Sequence, residues 1–187
     1  MRVFKRIGGL ALIAAFTAVG LMAQAQAGKI GVVDTRAFGA KDGITKYIAA
    51  EKKLNDEFTG DFAEVKNMET RLQTMKTQID TMQKNPQVPA DYQKKVADYN
   101  SLVRQYKYKD EDVKTRFAQR RQVILGPVSA DIMKKLQDYT VSQGFTLMFD
   151  AAPLDASGLL LGFDSRNNVT KAFVAYYNAL PATTAQD

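Results

Sequence analysis

The sequence offers few side chains that could carry out chemistry. It contains no histidine and no cysteine, so it lacks an imidazole base, a thiolate nucleophile and the usual ligands of zinc. Asp34, Asp150, Asp155 and Asp164 lie at predicted strand ends or in loops, where two carboxylates can pair as acid and base. Aspartates in such places are more commonly caps and turn formers. The sequence therefore indicates a non-enzyme with no metal site and no cofactor.

Basic residues form the second set with functional potential. Between Lys66 and Lys107 the basic residues outnumber the acids, which are only Glu69, Asp80, Asp91 and Asp98. The candidates for contact with an acidic partner are Lys66, Arg71, Lys76, Lys84, Lys94 and Lys95. A solvated helix surface is the simpler interpretation of any one charged run. The excess toward one end favours a basic surface.

These residues belong to two long amphipathic helices predicted between Gly43 and Gln143. Their apolar positions recur mostly after three or four residues, with some steps of seven, which places them on one helix face in coiled-coil spacing. The first stripe comprises Leu54, Phe58, Val65, Met68, Leu72, Met75, Ile79 and Met82. The second comprises Tyr92, Val96, Tyr99, Val103, Tyr106, Val113, Phe117 and Ile124. Two prolines in Asn85–Pro89 force a reversal between the helices, so they are predicted to be antiparallel neighbours.

The stripes contain side chains that adapt to different neighbours. Met68, Met75 and Met82 are flexible, and Tyr92 is amphipathic. Helix-on-helix packing is the simplest role for each of them. If the hairpin is loosely closed, the same residues can also face a variable partner.

The first 27 residues are predicted to be a secretory signal peptide. Arg2, Lys5 and Arg6 precede the uncharged apolar run Ile7–Met22, and Ala23–Ala27 supplies small residues for cleavage. The run is short for a retained membrane anchor, which is the alternative. Cleavage is predicted after Ala27, or otherwise after Ala25, and the export route makes the mature protein extracytoplasmic.

The mature chain from Gly28 to Asp187 has a modest positive charge. Without Arg2, Lys5 and Arg6, the 26 basic and 20 acidic residues become 23 and 20, a net charge of +3. This favours anionic lipid, lipopolysaccharide or acidic proteins as partners, and export argues against nucleic acid. With no disulfide available, packing or oligomerisation must stabilise the fold.

The hairpin, residues 45–143 with its tip near 85–89, is flanked by predicted strands. Lys29–Asp34 forms the first strand of a body segment, residues 28–44. Residues 144–180 complete the body with strands at Phe145–Phe149 and Leu159–Leu161, a loop at Ala151–Ser157 between them, and a closing helix at Val169–Leu180. Gly126-Pro127 is predicted to kink the second helix, which restarts at Val128. Residues 181–187 are predicted to be a disordered tail.

The predicted fold class is α+β, with a small β-sheet body and a long projecting antiparallel helical hairpin. A three-stranded sheet with two free edges is marginal alone. Pairing of edges between copies would close an oligomeric barrel. The residues assigned to this oligomer body are Ile30, Val32, Val33, Leu147 and Phe149.

The sequence resembles the Skp (OmpH) family of periplasmic chaperones. The resemblance rests on Lys29-Ile30-Gly31-Val32-Val33-Asp34 after the signal peptide, the proline-hinged hairpin, and Met68-Glu69-Thr70-Arg71-Leu72-Gln73 within it. Phe145-Thr146-Leu147-Met148-Phe149-Asp150-Ala151 and a closing helix complete the match over Gly28–Leu180.

The resemblance implies a homotrimer in which three hairpins project as tentacles around a cavity. It implies a holdase that needs no ATP, keeps unfolded outer-membrane β-barrel proteins soluble in the periplasm, and binds lipopolysaccharide. The six basic residues named above would occupy the positive arm tips, and Met68, Met75, Met82 and Tyr92 would face the client or form the arm core. The alternative from the residues is a structural or adaptor coiled coil of the cell envelope with fixed partners.

Overall fold

The computed structural model describes residues 28–181. The predicted signal peptide and the tail from residue 182 onward lie outside the described residues. The elements are β1 (Lys29–Val33), α1 (Thr45–Gln83), α2 (Tyr92–Ser142), β2 (Phe145–Asp150), α3 (Ala151–Ala156) and α4 (Thr170–Ala179), with 3-10 turns at Thr35–Gly39 and Ser165–Asn167. The predicted fold class, a small sheet with a long helical hairpin, is confirmed.

Helices α1 and α2 pack along the predicted apolar seam. Every residue of the two predicted stripes is buried or half-buried, as expected for side chains that recur along one helix face. The inner part of the seam has a fully closed core of Leu54, Phe58, Val113 and Leu125. Leu102 and Leu125 are both 5% exposed and were missed, because the predicted stripe followed their neighbours Val103 and Ile124. Within residues 28–181, no helix combines the length and apolar character needed to cross a membrane.

Helix α2 continues through Pro127, so the predicted interruption there is wrong. Proline in a helix disfavours the helical conformation of the preceding residue because its ring contacts that residue's Cβ. The preceding residue here is Gly126, which has no Cβ. The helix therefore tolerates the proline, and the stripe continues through the buried Ile132, Leu136 and Tyr139.

The two strands pair in parallel, although the hairpin separates them in the chain. Ile30 pairs with Leu147 and Val32 with Phe149, while a register irregularity lies between Lys29 and Ile30. A bulge changes the side-chain alternation, so that Phe145 and Met148 both pack against the helical core of the body. A Cβ on Gly31 would lie 2.7 Å from the Met148 methyl group, so a larger residue there would displace the flexible Met148 side chain.

The third predicted strand, Leu159–Leu161, is wrong. The outer edge of β1 is occupied by Asn168, and the Val169 N–H donates to the Val32 carbonyl at 2.9 Å. The Leu159 and Leu160 amides donate to the Leu154 carbonyl instead, at 2.9 and 3.1 Å. Because a strand needs a partner, the segment stays irregular, and the sheet has two strands among the described residues.

The predicted loop at Ala151–Ser157 instead begins with the short helix α3. The Asp150 carboxylate caps it by accepting from the Ala152 N–H at 3.1 Å. Pro153 lies in the first turn, where a helix does not need its N–H. The sequence Asp150-Ala151-Ala152-Pro153 contains both the capping aspartate and the first-turn proline.

The body core joins the strands to the proximal ends of the helices. Phe173 is fully buried and lies 5.5 Å from the rings of both Phe38 and Tyr139. The Tyr177 hydroxyl donates to Asp131 at 2.6 Å, and the Lys46 ammonium lies 3.1 Å from the same carboxylate. These contacts fasten α4 to both long helices, so the hairpin projects from a fixed base.

Candidate functional site

The tip of the hairpin carries exposed basic side chains. Lys84 and Lys94 flank the reversal, and neither has a carboxylate within ion-pair distance among residues 28–181; the same holds for Arg71 and Lys76. Two of the six candidate basic residues already have a partner within the hairpin. Lys66 lies 2.8 Å from Glu69, and the Lys95 ammonium lies 3.4 Å from the Gln78 side chain. The tip therefore offers several unneutralised cations to an anionic partner.

The predicted methionines and Tyr92 lie on the seam between the helices. Met68, Met75, Met82 and Tyr92 are all half-buried. The seam from Val65 to Tyr106 has only one fully buried member, Leu102. Since buried apolar area supplies most of the helix pairing, the outer half of the hairpin is held more weakly than the inner half.

An ionic cluster that sequence reasoning missed joins the helices midway along the hairpin. We call Glu57, Asp61, Glu64, Lys109, Arg116 and Arg120 the ionic clamp. Arg120 forms two hydrogen bonds to Glu57 at 2.6 and 3.0 Å. Lys109 lies 3.0 Å from Asp61 and 2.6 Å from Glu64, and Arg116 lies 3.0 Å from Asp61. Hydrogen bonds from Arg116 and Lys109 lower the pKa of Asp61, and Arg120 lowers that of Glu57.

The spacing of charged residues in the sequence could have predicted the ionic clamp. Its acids recur after four and three residues on α1, and its bases recur after seven and four on α2. Charges that flank an apolar stripe at such spacing form interhelical ion pairs in coiled coils. The clamp neutralises itself, so it favours a structural role over binding of ions.

Three phenylalanines cluster at the same height. The ring centroids of Phe58 and Phe117 lie 5.2 Å apart at an interplanar angle of 83°, and Phe62 lies 5.5 Å from Phe117. Phe58 is 5% exposed, whereas Phe62 is 43% exposed. We call Phe58, Phe62 and Phe117 the aromatic shelf. The four-residue spacing of Phe58 and Phe62 was its signal in the sequence.

The residues assigned to an oligomer body divide into two groups. Val32 and Val33 are 5% and 1% exposed, so the chain itself covers both. Val33 belongs to the body core, whereas Val32 pairs with Phe149 on the other face of the sheet. Ile30, Leu147 and Phe149 are 42–50% exposed, and the strand register places them on one face of the sheet. Beside β2 and α2 runs a groove of about 800 Å³ whose lining includes Met133, Val141 and Phe149.

The loop after α3 adds another exposed apolar run. Leu159, Leu161 and Phe163 are 73%, 96% and 43% exposed. They alternate with other residues at the period of a β-strand. The body thus presents an unpaired edge of β2 and an alternating apolar segment, both without a partner in the described part of the chain.

The four candidate acid–base aspartates serve as caps and ion-pair partners. Asp34 accepts from the Arg36 backbone and guanidinium, and Asp164 does the same with Arg166. Asp150 accepts from the Thr35 hydroxyl at 2.7 Å, and Asp155 lies 3.4 Å from Arg36. Hydrogen bonds from Arg36 lower the pKa of Asp34, and Arg166 lowers that of Asp164. This is opposite to the raised pKa that a general acid needs.

Comparison with known proteins gives a family match. The model of a family described as outer membrane protein (OmpH-like) matches residues 29–177. Six chains of solved structures match. One is a crystal structure from Caulobacter crescentus CB15 of a protein considered an outer membrane chaperone (OmpH-like); it is 17% identical, with 98% of this chain and 95% of that chain covered, at a TM-score of 0.47. No curated protein matches.

Proposed function

The chain belongs to the OmpH-like family, and from this premise we propose that it is a holdase chaperone of the periplasm. It captures unfolded outer-membrane proteins and keeps them soluble for delivery to the outer membrane, without ATP or a cofactor. The observation that carries the proposal is the outer half of the hairpin. There, a half-buried apolar seam lies beside unpaired cations, and no enclosed site of fixed shape is needed to hold a mobile chain.

Unfolded clients suit many weak contacts better than one tight site. Basic side chains such as Lys84 and Lys94 speed the encounter with acidic segments of the client. Several arms acting together raise the avidity without strong single contacts. The same cations supply a surface for lipopolysaccharide or another anionic membrane surface as a second partner. Nucleic acid is not a partner in this proposal.

The working form is a homo-oligomer, and the family resemblance makes it a trimer. Three features of the body support assembly: the unpaired edge of β2, the exposed face with Ile30, Leu147 and Phe149, and the apolar segment Leu159–Phe163. A second copy would cover apolar area that is otherwise in water, and would remove a free strand edge. The bodies then hold the hairpins around a shared cavity.

Suppression of aggregation tests the proposal. The full-length chain is expressed in a host bacterium, the exported product is purified, and a urea-unfolded outer-membrane barrel protein is diluted into buffer with and without it. Turbidity is recorded with no nucleotide present. The expected result is a clear solution at a ratio of a few chaperone chains per client.

An unchanged turbidity with a folded, oligomeric product would refute the holdase function. That outcome would favour an adaptor coiled coil with fixed partners in the envelope. A soluble barrel protein that is already folded serves as the control client, since a holdase should not bind it.

A further inference from the structure

The aromatic shelf is an exposed apolar surface on an otherwise charged part of the hairpin. Phe62 is 43% exposed, and its ring lies 6.1 Å from Phe58 and 5.5 Å from Phe117, between centroids. Phe58 is only 5% exposed, and its buried ring contacts the rings of both Phe62 and Phe117. A further aromatic side chain can therefore stack on rings that are already held in place.

The ionic clamp lies beside the shelf and joins the two helices that carry it. Phe62 and Glu64 are two residues apart, which places their side chains about 200° apart around α1. Glu64 thus lies on the flank away from Phe62, whereas Arg116 of the clamp reaches the shelf, with its guanidinium carbon 5.6 Å from the centroid of the Phe58 ring. Because Arg116 and Arg120 fix the helix spacing through Asp61 and Glu57 at 2.6–3.0 Å, the shelf is preorganised, and binding costs little conformational entropy.

The predicted arm residues are placed less well for direct contact. Met68, Met75 and Met82 are half-buried on the seam, where they face the second helix. Each of them exposes a smaller fraction of its surface than Phe62 does. Phe62 is available in the closed hairpin.

The size of the shelf decides what occupies it. A stable contact between two folded proteins buries about 800 Å² per partner, which is far more than one partly exposed phenylalanine ring presents. A second copy of the chain is therefore a poor occupant. An extended polypeptide, which contributes one side chain at each of many small contacts, fits this area.

We propose that the aromatic shelf binds aromatic and large aliphatic side chains of the unfolded client. The inference rests on the proposed function and adds a specific contact surface on the inner half of the hairpin. It also assigns a division of roles, in which the basic tip attracts the client and the shelf retains it.

The test compares Phe62→Ser with Tyr108→Ser. Tyr108 is a matched control, since it is an exposed aromatic residue of the same hairpin at 78% exposure and is not part of the shelf. Binding of a dye-labelled, urea-unfolded barrel protein is measured by fluorescence anisotropy with the exported full-length product. Loss of one aromatic contact should weaken binding about tenfold for Phe62→Ser, and Tyr108→Ser should change it less than about twofold.

A second measurement keeps the test valid if Phe62→Ser loses its fold. The photoreactive residue benzoylphenylalanine, which retains an aromatic ring, replaces Phe62 or Tyr108, and crosslinks to the client are counted. Efficient crosslinking at position 62 and weak crosslinking at position 108 would support the inference.

Three results would overturn it. If the unaltered protein binds the client, and Phe62→Ser binds equally well without crosslinks at position 62, the shelf has no role and the holdase function stands. If Phe62→Ser alters the sedimentation coefficient but not client binding, the shelf is a contact between copies. If the unaltered protein binds no client, the proposed function and the inference fall together.

Discussion

At the scale of single residues, the charged side chains of the hairpin differ in whether they are already neutralised. Those of the ionic clamp satisfy one another across the helices. Lys84 and Lys94 at the tip have no carboxylate partner within residues 28–181. Exposed cations of this kind contribute little to folding stability. They remain free to act on a partner.

Reversal of charge at Lys84, Lys94 and Lys95 should slow client capture and leave the oligomer intact. The expected decrease in the association rate constant is about tenfold at low salt, and it should shrink at high salt, because screening weakens steering. Stopped-flow fluorescence with a labelled client measures the rate.

The matched control reverses Lys41, Lys53 and Lys171, which are exposed residues far from the tip in the sequence. The net charge change is the same in both variants. Equal association rates for the two variants would show that the position of the charges is irrelevant. Normal capture by the tip variant at low salt would refute a role for the basic tip.

At the scale of elements, the two glycines inside the helices have different surroundings. A Cβ added to Gly60 would meet nothing within 4 Å, whereas one added to Gly126 would lie 3.3 Å from the Gln122 side chain. Gly126 also directly precedes Pro127 in the sequence. Glycine costs a helix about 1 kcal/mol relative to alanine. The residues next to each glycine decide whether substitution by alanine removes this cost.

Gly60→Ala should raise the free energy of unfolding by about 1 kcal/mol. Gly126→Ala should give no gain, since its new Cβ would contact the proline ring. Urea denaturation followed by circular dichroism measures both. The double variant Gly126→Ala with Pro127→Ala should restore the gain; a full gain from Gly126→Ala alone would contradict this account of how α2 passes the proline.

The ionic clamp should make the hairpin sensitive to acid. The pKa values of Asp61 and Glu57 are lowered in the folded protein. Their contribution to stability is therefore present above the ordinary carboxyl pKa of about 4 and is lost as the pH falls through the lower folded values. Asp61→Asn should lower the melting temperature at neutral pH and reduce its fall on acidification.

Thermal melts at neutral and acidic pH check this expectation. Asp56→Asn is the control, because Asp56 pairs with Lys52 within α1 and does not join the helices. If the two variants behave alike at both pH values, the cross-helix pairs hold the hairpin no better than an ordinary surface pair.

Much of the element structure could be predicted because it depends on local periodicity. The seam positions repeat at the helix period, so their burial follows from the sequence alone. Two errors have local causes that hydrophobic periodicity does not report, although the residues are plain in the sequence: the missing Cβ at Gly126, and the capping role of Asp150 at α3. Leu159–Leu161 has strand periodicity but no partner in the chain. Strand formation depends on that partner, so periodicity alone predicts it poorly.

The candidate site was predicted less completely than the fold. Exposure of Lys84 and Lys94 followed from their positions in the helix repeat. The ionic clamp and the exposure of Phe62 depend on how residues about fifty positions apart meet across the seam. That alignment is set by the length of the reversal and by the body, which hydrophobic periodicity does not specify.

At the scale of the whole molecule, the body contains one set of apolar residues that stabilise the chain and another that is left exposed. Val33 is 1% exposed in the core, whereas Leu147 is 50% exposed on the sheet. The same substitution at the two positions should therefore separate folding from assembly.

Leu147→Asp should leave a folded chain that sediments as a smaller species. A charge on the exposed sheet face opposes contact between copies and is hydrated in the free chain. Val33→Asp should instead unfold the body, since a buried unpaired carboxylate is strongly destabilising. Analytical ultracentrifugation and circular dichroism distinguish the two effects. A full-size oligomer of Leu147→Asp would exclude this face from the interface.

The parallel pairing of β1 with β2 also dictates an order of events when the protein is made. The strands are separated by residues 34–144, so direct pairing must close a loop of more than a hundred residues. Once α1 and α2 have paired, the same strands become near neighbours, and their pairing no longer requires closure of a long loop. Because synthesis starts at the N-terminus, β1 is made first and stays unpaired until the last third of the chain follows. The first strand of the chain therefore completes its pairing late, after the hairpin has formed, and it is the segment left open for longest to contacts with other molecules.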